Sequence, residues 1–184
     1  EFGGDPTIDL NMNLLTSWQR RCAAAALECC RALDRMPAEG ATIHVAFSAM
    51  RGNIRALAVG GTLIEDCYNA NPIAMHAALS DLAAREGRRV AVLGDMMELG
   101  PDEAHYHREI GRAAAESGVA LVVGIGQRAA GYVDGADGIA TVHFATVDDA
   151  VAGVGEHLRS GDVVLLKGSR SMALERVAAV IAAD

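Results

Sequence analysis

From Ile54 to the end of the chain, short β-prone runs alternate with helical stretches, and this alternation constrains the fold more than any other feature. Val90-Ala91-Val92-Leu93 and Val163-Val164-Leu165-Leu166 are apolar throughout, so each reads as a strand buried on both faces. Helices placed between such strands make the strands parallel. The pattern opens with a hairpin, Ile54–Val59 and Thr62–Glu65, turning at Gly60-Gly61. A helix from Pro72 to Arg85 follows, with proline in its first turn. Then come a strand at Arg89–Leu93 and a helix at Asp102–Ser117 closed by Gly118. After these the sequence predicts a strand at Val119–Ile125, a short helix at Gln127–Val133, a strand at Ala140–Phe144, a helix at Thr146–Arg159, a strand at Val163–Leu166 and a last helix at Ser171–Ala182. The implied class is α/β: a Rossmann-like open, mostly parallel sheet with an antiparallel entry hairpin.

Residues 1–50 differ in character. A polar lead-in precedes an alanine-rich helix from about Leu14 to Leu33, a helical remnant ahead of the α/β region. The 184 residues hold one ordinary domain with a piece of another. A hydrophobic content of 51% excludes a disordered chain, and a net charge of −8 argues against a general nucleic-acid binder. There is no run of 18 apolar residues to span a membrane and no signal peptide, so the expected location is cytoplasmic. Cys22, Cys29, Cys30 and Cys67 include no C-x-x-C pair; they read as small packing residues in a reducing compartment, not as metal ligands.

In open parallel sheets, ligands bind beyond the carboxyl ends of the strands. Four loops there gather polar, charged and glycine residues: Asp66–Pro72, Gly94–Gly100, Gly124-Ile125-Gly126 and Lys167–Ser171. Asp66 is suited to accept from a ribose, and Asn69 and Asn71 offer paired donors and acceptors for an amide or carboxylate. Asn71 can equally cap the helix ahead of Pro72. Asp95 and Glu98 could hold Mg²⁺ or orient an ammonium, or simply form a solvated acidic turn favourable to the next helix dipole. His107, on that helix, is by default a packing histidine. Lys167-Gly168-Ser169-Arg170-Ser171 combines two cations, two hydroxyls and a glycine, an anion site in physical terms, without the spacing of a P-loop. Of 16 basic residues 15 are arginine, and the one lysine, Lys167, stands here. A compact ammonium with three rotatable donors is not something an arginine fork imitates. Gly124-Ile125-Gly126 lacks the third glycine of a dinucleotide fingerprint, which weighs against a dinucleotide enzyme.

Asp66-Cys67-Tyr68-Asn69-Ala70-Asn71-Pro72, Val92 to Gly100, His107-Arg108-Glu109-Ile110-Gly111 and Leu166 to Met172 stand in an order and spacing that resembles the C-terminal domain of the MurF branch of the Mur ligase family. The resemblance runs from about Gly52 to the end. Residues 14–50, with Cys22–Ala26 and Phe47–Gly52, look like the last helices of the family's central ATP-binding domain. The resemblance therefore implies two parts: 1–50, the tail of the central domain, and 51–184, the C-terminal domain. It implies ATP and Mg²⁺ as cofactors, the metal held mainly by the central domain and by no residue of this chain. The implied reaction phosphorylates the carboxylate of UDP-MurNAc-tripeptide, and the amine of D-Ala-D-Ala then attacks to give the pentapeptide, ADP and phosphate. The other ligase domains would be the partners of this part, in a monomeric enzyme that binds no nucleic acid. By motif position, Lys167, Ser169 and Arg170 would sit near the dipeptide carboxylate or the reacting phosphate as the catalytic group. Asp66, Tyr68 and Asn69 would meet the nucleotide, and Asn71, Asp95, Glu98 and His107 the substrate.

The chain also departs from the family. It contains no P-loop, so it is expected to be inactive alone, and the alternative reading is a stand-alone dipeptide- or nucleotide-binding module. Where the family has Gly-Arg at the domain junction this chain has Gly52-Asn53, with Arg51 or Arg55 as the candidate substitute. Where the family has Gly-x-His-Asn, it reads Asp9-Leu10-Asn11-Met12-Asn13.

Overall fold

Side-chain caps at Thr16, Asn71 and Thr146 each start a helix. The computed structural model describes residues 11–12, 16–45 and 50–183. They belong to two units, Glu1–Phe47 and Ser48–Asp184. Residues 9, 10, 13 and 14 of the lead-in and 47–49 of the junction lie outside the described residues.

In the first unit, β1 (Asn11–Met12) pairs in parallel with β2 (Thr42–Ile43), and α1 covers Ser17–Ala32. Thr16 starts α1 with a capping box: its hydroxyl accepts the Gln19 N–H at 3.2 Å, and its own N–H donates to the Gln19 side chain at 3.1 Å. Gln19 is the one buried residue of α1.

The second unit is built on a six-stranded sheet of order β3-β4-β8-β5-β6-β7. The strands are β3 (Asn53–Ala56), β4 (Gly61–Asp66), β5 (Arg88–Gly94), β6 (Leu121–Ile125), β7 (Ala140–Phe144) and β8 (Asp162–Lys167). β3 and β4 form the expected antiparallel hairpin, and every other pairing is parallel. Gly60 and Gly61 turn the hairpin at φ of 86° and 124°, values that only glycine adopts without strain. β3 stops at Ala56, short of the predicted Val59, because Leu57 instead bridges to Ala182 at the end of the chain.

The helices are α2 (Pro72–Ala83), α3 (Glu103–Glu116), α4 (Ala130–Gly135), α5 (Val147–Gly153) and α6 (Glu175–Ile181). Alternate residues along the strands sort into two cores. Ile64, Ala91, Leu93, Val122 and Leu165 pack with Met75 and Leu79 of α2, Ile110 of α3 and Tyr132 of α4. Leu63, Val90, Val92, Val123 and Leu166 pack with Ala150 of α5 and Val177 and Ile181 of α6. Helices α2 to α4 thus cover one face of the sheet, and α5 and α6 the other. Two predicted helices are shortened most: α5 passes into a 3₁₀ turn at Val154–His157, and α6 starts at Glu175 instead of Ser171. The reason at α6 is Ala173, whose φ of 50° breaks the run after a 3₁₀ turn at Arg170–Met172. No helix among the described residues is long and apolar enough to cross a membrane.

Candidate functional site

β8 lies between β4 and β5, and its helix α6 packs on the face opposite α2 and α3. The connections leaving the carboxyl ends of these neighbours therefore diverge, the arrangement that opens a crevice in such sheets. In open α/β sheets this switch point is where ligands bind. The loops that meet there are those following Asp66, Gly94 and Lys167.

Register explains the first contact. Asp66 is paired with Lys167 across the parallel β4–β8 ladder, which puts both side chains on the same face. Lys167 Nζ donates to Asp66 Oδ2 at 2.7 Å and to the Asn69 carbonyl at 3.0 Å, and lies 3.5 Å from the Asp66 carbonyl. The lysine side chain is 3% exposed and the aspartate 28%. Burial pushes the Asp66 carboxyl above its ordinary range, against the opposing pull of Lys167 and Arg51. Lys167 thus clamps the loop between β4 and α2 from within, and Asp66 and Asn69 are the groups it holds.

That loop presents Tyr68, Asn69 and Asn71 to solvent. The Arg51 guanidinium lies 4.0 Å from the centre of the Tyr68 ring, a cation–π contact. Asn69 Oδ1 accepts the Ala70 N–H at 2.8 Å. Asn71 caps α2, its Oδ1 accepting the Ala74 N–H at 2.9 Å, with proline next in the helix. Cys67 is buried beneath this loop, and burial raises its thiol to about 12, which suits packing and not nucleophilic chemistry.

The β5 loop is held at four successive residues. Tyr132 of α4 donates its hydroxyl to the Gly94 carbonyl at 3.0 Å. Asp95, 4% exposed, accepts the Ala129 N–H at 2.7 Å and takes the Ser169 N–H on its carbonyl at 3.1 Å. The Met96 N–H donates to His107 Nε2 at 3.0 Å, and the Met97 N–H to Ser169 Oγ at 2.9 Å. His107 has no exposed surface, and burial holds its pKa below the ordinary histidine value. Glu98 then turns outward with φ of 62°, a left-handed conformation uncommon for a residue with a side chain. Gly94 and Gly168 meet where β5 and β8 end: a Cβ on Gly168 would lie 2.6 Å from the Leu174 Cδ1 and 3.1 Å from the Gly94 Cα.

Arg170 reaches the rim of the crevice, half exposed, and donates to Glu175 Oε1 at 2.7 Å. Desolvation pushes Glu175 up, yet Arg170 and its other partners hold its carboxyl below the usual range. The ten residues singled out in the sequence thus fall into two groups. Tyr68, Asn69, Asn71, Glu98 and Arg170 are exposed, whereas Asp95, His107, Lys167 and Ser169 are buried and bonded to backbone or to Asp66, which stands half-way. Asp95 and Glu98 do not act as a metal pair, since Asp95 faces inward onto Ala129 and Arg128. Among the described residues no cluster of His, Cys, Asp or Glu could hold a metal ion. Tyr132, Leu174 and the facing glycines belong to the site as well. Their only trace in the sequence is a glycine at the end of two buried strands. A cleft of about 370 Å³, walled by Glu103, Arg108, Gln127 and Arg128, opens beside α3 and α4. Those helices share a face, so it is not the switch crevice.

Comparison with known proteins fits this geometry. The family model for the Mur ligase, glutamate ligase domain, matches residues 50–170. The UDP-N-acetylmuramoyl-tripeptide–D-alanyl-D-alanine ligase of Mycobacterium bovis is 37% identical over 188 residues, covering 89% of this chain and 37% of that protein. The crystal structure of MurF from Acinetobacter baumannii is 28% identical and superimposes with a TM-score of 0.74 over 89% of this chain and 37% of its own. MurF from Thermotoga maritima in complex with ADP, at 24% identity, shares the fold with a TM-score of 0.76 over 94% of this chain and 39% of its own. The chain thus spans little more than a third of the length of these relatives.

Proposed function

Because the chain belongs to the Mur ligase family, we propose that it is the C-terminal portion of an ATP-dependent ligase that adds D-Ala-D-Ala to UDP-MurNAc-tripeptide in peptidoglycan precursor synthesis. The observation that carries this reading is the convergence of three family-like loops on one switch-point crevice, joined through Lys167 and Ser169. ATP supplies the phosphoryl group that activates the substrate carboxylate, and Mg²⁺ is held by ligase segments outside this chain. On this reading residues 1–50 are the tail of the central domain, and the complete enzyme works in the cytoplasm as a monomer.

The roles follow exposure except at Ser169, a buried residue whose hydroxyl keeps its proton to donate. Arg170, with a guanidinium at the rim, and the Ser169 hydroxyl meet the anionic partner, a dipeptide carboxylate or a transferring phosphoryl, for which fixed positive charge is the chemical requirement. Tyr68 and Asn69 line the nucleotide side, with the exposed edge of Asp66 toward the ribose. Asn71 and Glu98 stand on the dipeptide side. Lys167 and Asp95 act by holding these loops in place.

The test is the complete ligase, this chain restored to its missing N-terminal and central parts. D-Ala-D-Ala-dependent phosphate release from ATP and UDP-MurNAc-tripeptide is the expected result. No release by a folded enzyme would overturn the reading.

A further inference from the structure

We propose that His107 is a positioning residue of this site: as a neutral ring it holds the Met96 backbone, and with it the Met97–Ser169 contact, without touching a ligand. The inference rests on the ligase reading for its catalytic consequence and on geometry alone for the loop. His107 presents no surface to solvent, so no ligand reaches it. Its Nδ1 lies 2.7 Å from the Glu103 carbonyl, which can only accept, so Nδ1 carries the proton. Its Nε2 lies 3.0 Å from the Met96 N–H, which can only donate, so Nε2 presents a lone pair. Both partners select the same neutral tautomer. A second proton on the ring would set N–H against N–H.

The ring also packs on Tyr132 with centres 4.8 Å apart, and the Tyr132 hydroxyl holds Gly94. Two aromatic side chains, from α3 and α4, thus grip the backbone on either side of Asp95. The charged groups around His107 are Asp95, Glu103 and Arg128. Beyond Met96 the next backbone N–H, that of Met97, ends on Ser169 Oγ. That bond occupies an acceptor position of the hydroxyl and leaves its proton to donate. A residue that merely filled the core would not need an acceptor at Nε2, since an apolar aromatic ring such as that of phenylalanine packs without one. The acceptor is what histidine adds, and it fixes the segment on which Ser169 rests.

The experiment compares His107→Phe, which keeps the ring, with His107→Gln, whose Oε1 can take the Met96 N–H. Amide hydrogen exchange is followed in this chain at Met96 and Met97, with Val90 and Val122 as core references. The kcat/KM for D-Ala-D-Ala is followed in the complete ligase. In His107→Phe, exchange at Met96 rises on the order of ten-fold or more while the core is unchanged, and kcat/KM falls on the order of ten-fold. His107→Gln restores most of both. Unchanged Met96 exchange, unchanged kcat/KM, or a glutamine variant no better than phenylalanine would overturn the proposal. Should phenylalanine loosen the core too, His107→Asn, too short to reach Met96, takes its place against glutamine. Inactivity of the wild-type complete ligase would instead defeat the ligase reading, and the exchange data would still decide whether His107 fixes the loop.

Discussion

Lys167 is a cation whose surroundings explain why it is not arginine. Its compact ammonium sits 3% exposed among Asp66 Oδ2 and the carbonyls of Asn69 and Asp66, three acceptors that match its three donors. Lys167→Met should lower the unfolding free energy by about 1.5–3 kcal/mol, read from urea denaturation at neutral pH. Burial already holds the Asp66 carboxyl above its ordinary range. Without its counter-ion Asp66 takes up a proton still more readily in the fold than in the unfolded chain, so the defect shrinks as pH falls through the carboxylate range. His107 behaves in the opposite sense. Its folded pKa lies below the ordinary value of 6.5, so the unfolded chain binds a proton that the folded chain refuses. The stability it lends is complete above about pH 6.5 and is lost as pH falls below it. Wild type should therefore lose stability more steeply than His107→Gln between about pH 7.5 and 5.5, measured by denaturant unfolding at each pH. Both residues are visible in the sequence as loop or helix polar groups near strand ends. Their partners are not: the pairing of Lys167 with Asp66 depends on β8 inserting beside β4, 101 positions away.

At the scale of elements, α3 and α4 meet through glycine. A Cβ on Gly111 would lie 2.1 Å from the Tyr132 carbonyl oxygen, and one on Gly135 would lie 2.1 Å from that of Arg108. These are backbone atoms with no rotamer to yield, so the helices must part. Gly111→Ala and Gly135→Ala should each cost about 1–3 kcal/mol or more, read from urea midpoints. Because α4 carries Tyr132 and is preceded by Ala129, the damage should reach Gly94 and Asp95, visible as faster amide exchange in the β5 loop. The sheet itself was readable from the sequence, since β5, β6 and β8 are the continuous apolar runs and their buried patterns follow. The onset of α6 was not, because the left-handed turn at Ala173 is imposed by the packing of Leu174 over Gly94 and Gly168 and leaves no local signature. Trp18 in α1 and Leu33 at its C-cap, 50% and 71% exposed, leave apolar surface on the first unit.

At the scale of the molecule, one sheet places three loops at its switch point, and internal bonds from Lys167, Asp95, His107 and Ser169 hold them as a unit. On the proposed reading the exposed residues of those loops, with the Ser169 hydroxyl, meet the ligands. With little more than a third of the length of its relatives and no P-loop, the chain alone should give no D-Ala-D-Ala-dependent phosphate release. The central claim, that this crevice is the working edge of the domain, is tested most directly at Arg170, whose side chain is half exposed and ion-paired with Glu175. The measurement is D-Ala-D-Ala-dependent phosphate release by the complete ligase carrying Arg170→Ala, with thermal unfolding in parallel. Activity lower on the order of ten-fold or more, with unfolding near that of wild type, is the predicted result. Wild-type turnover in that variant would contradict the account.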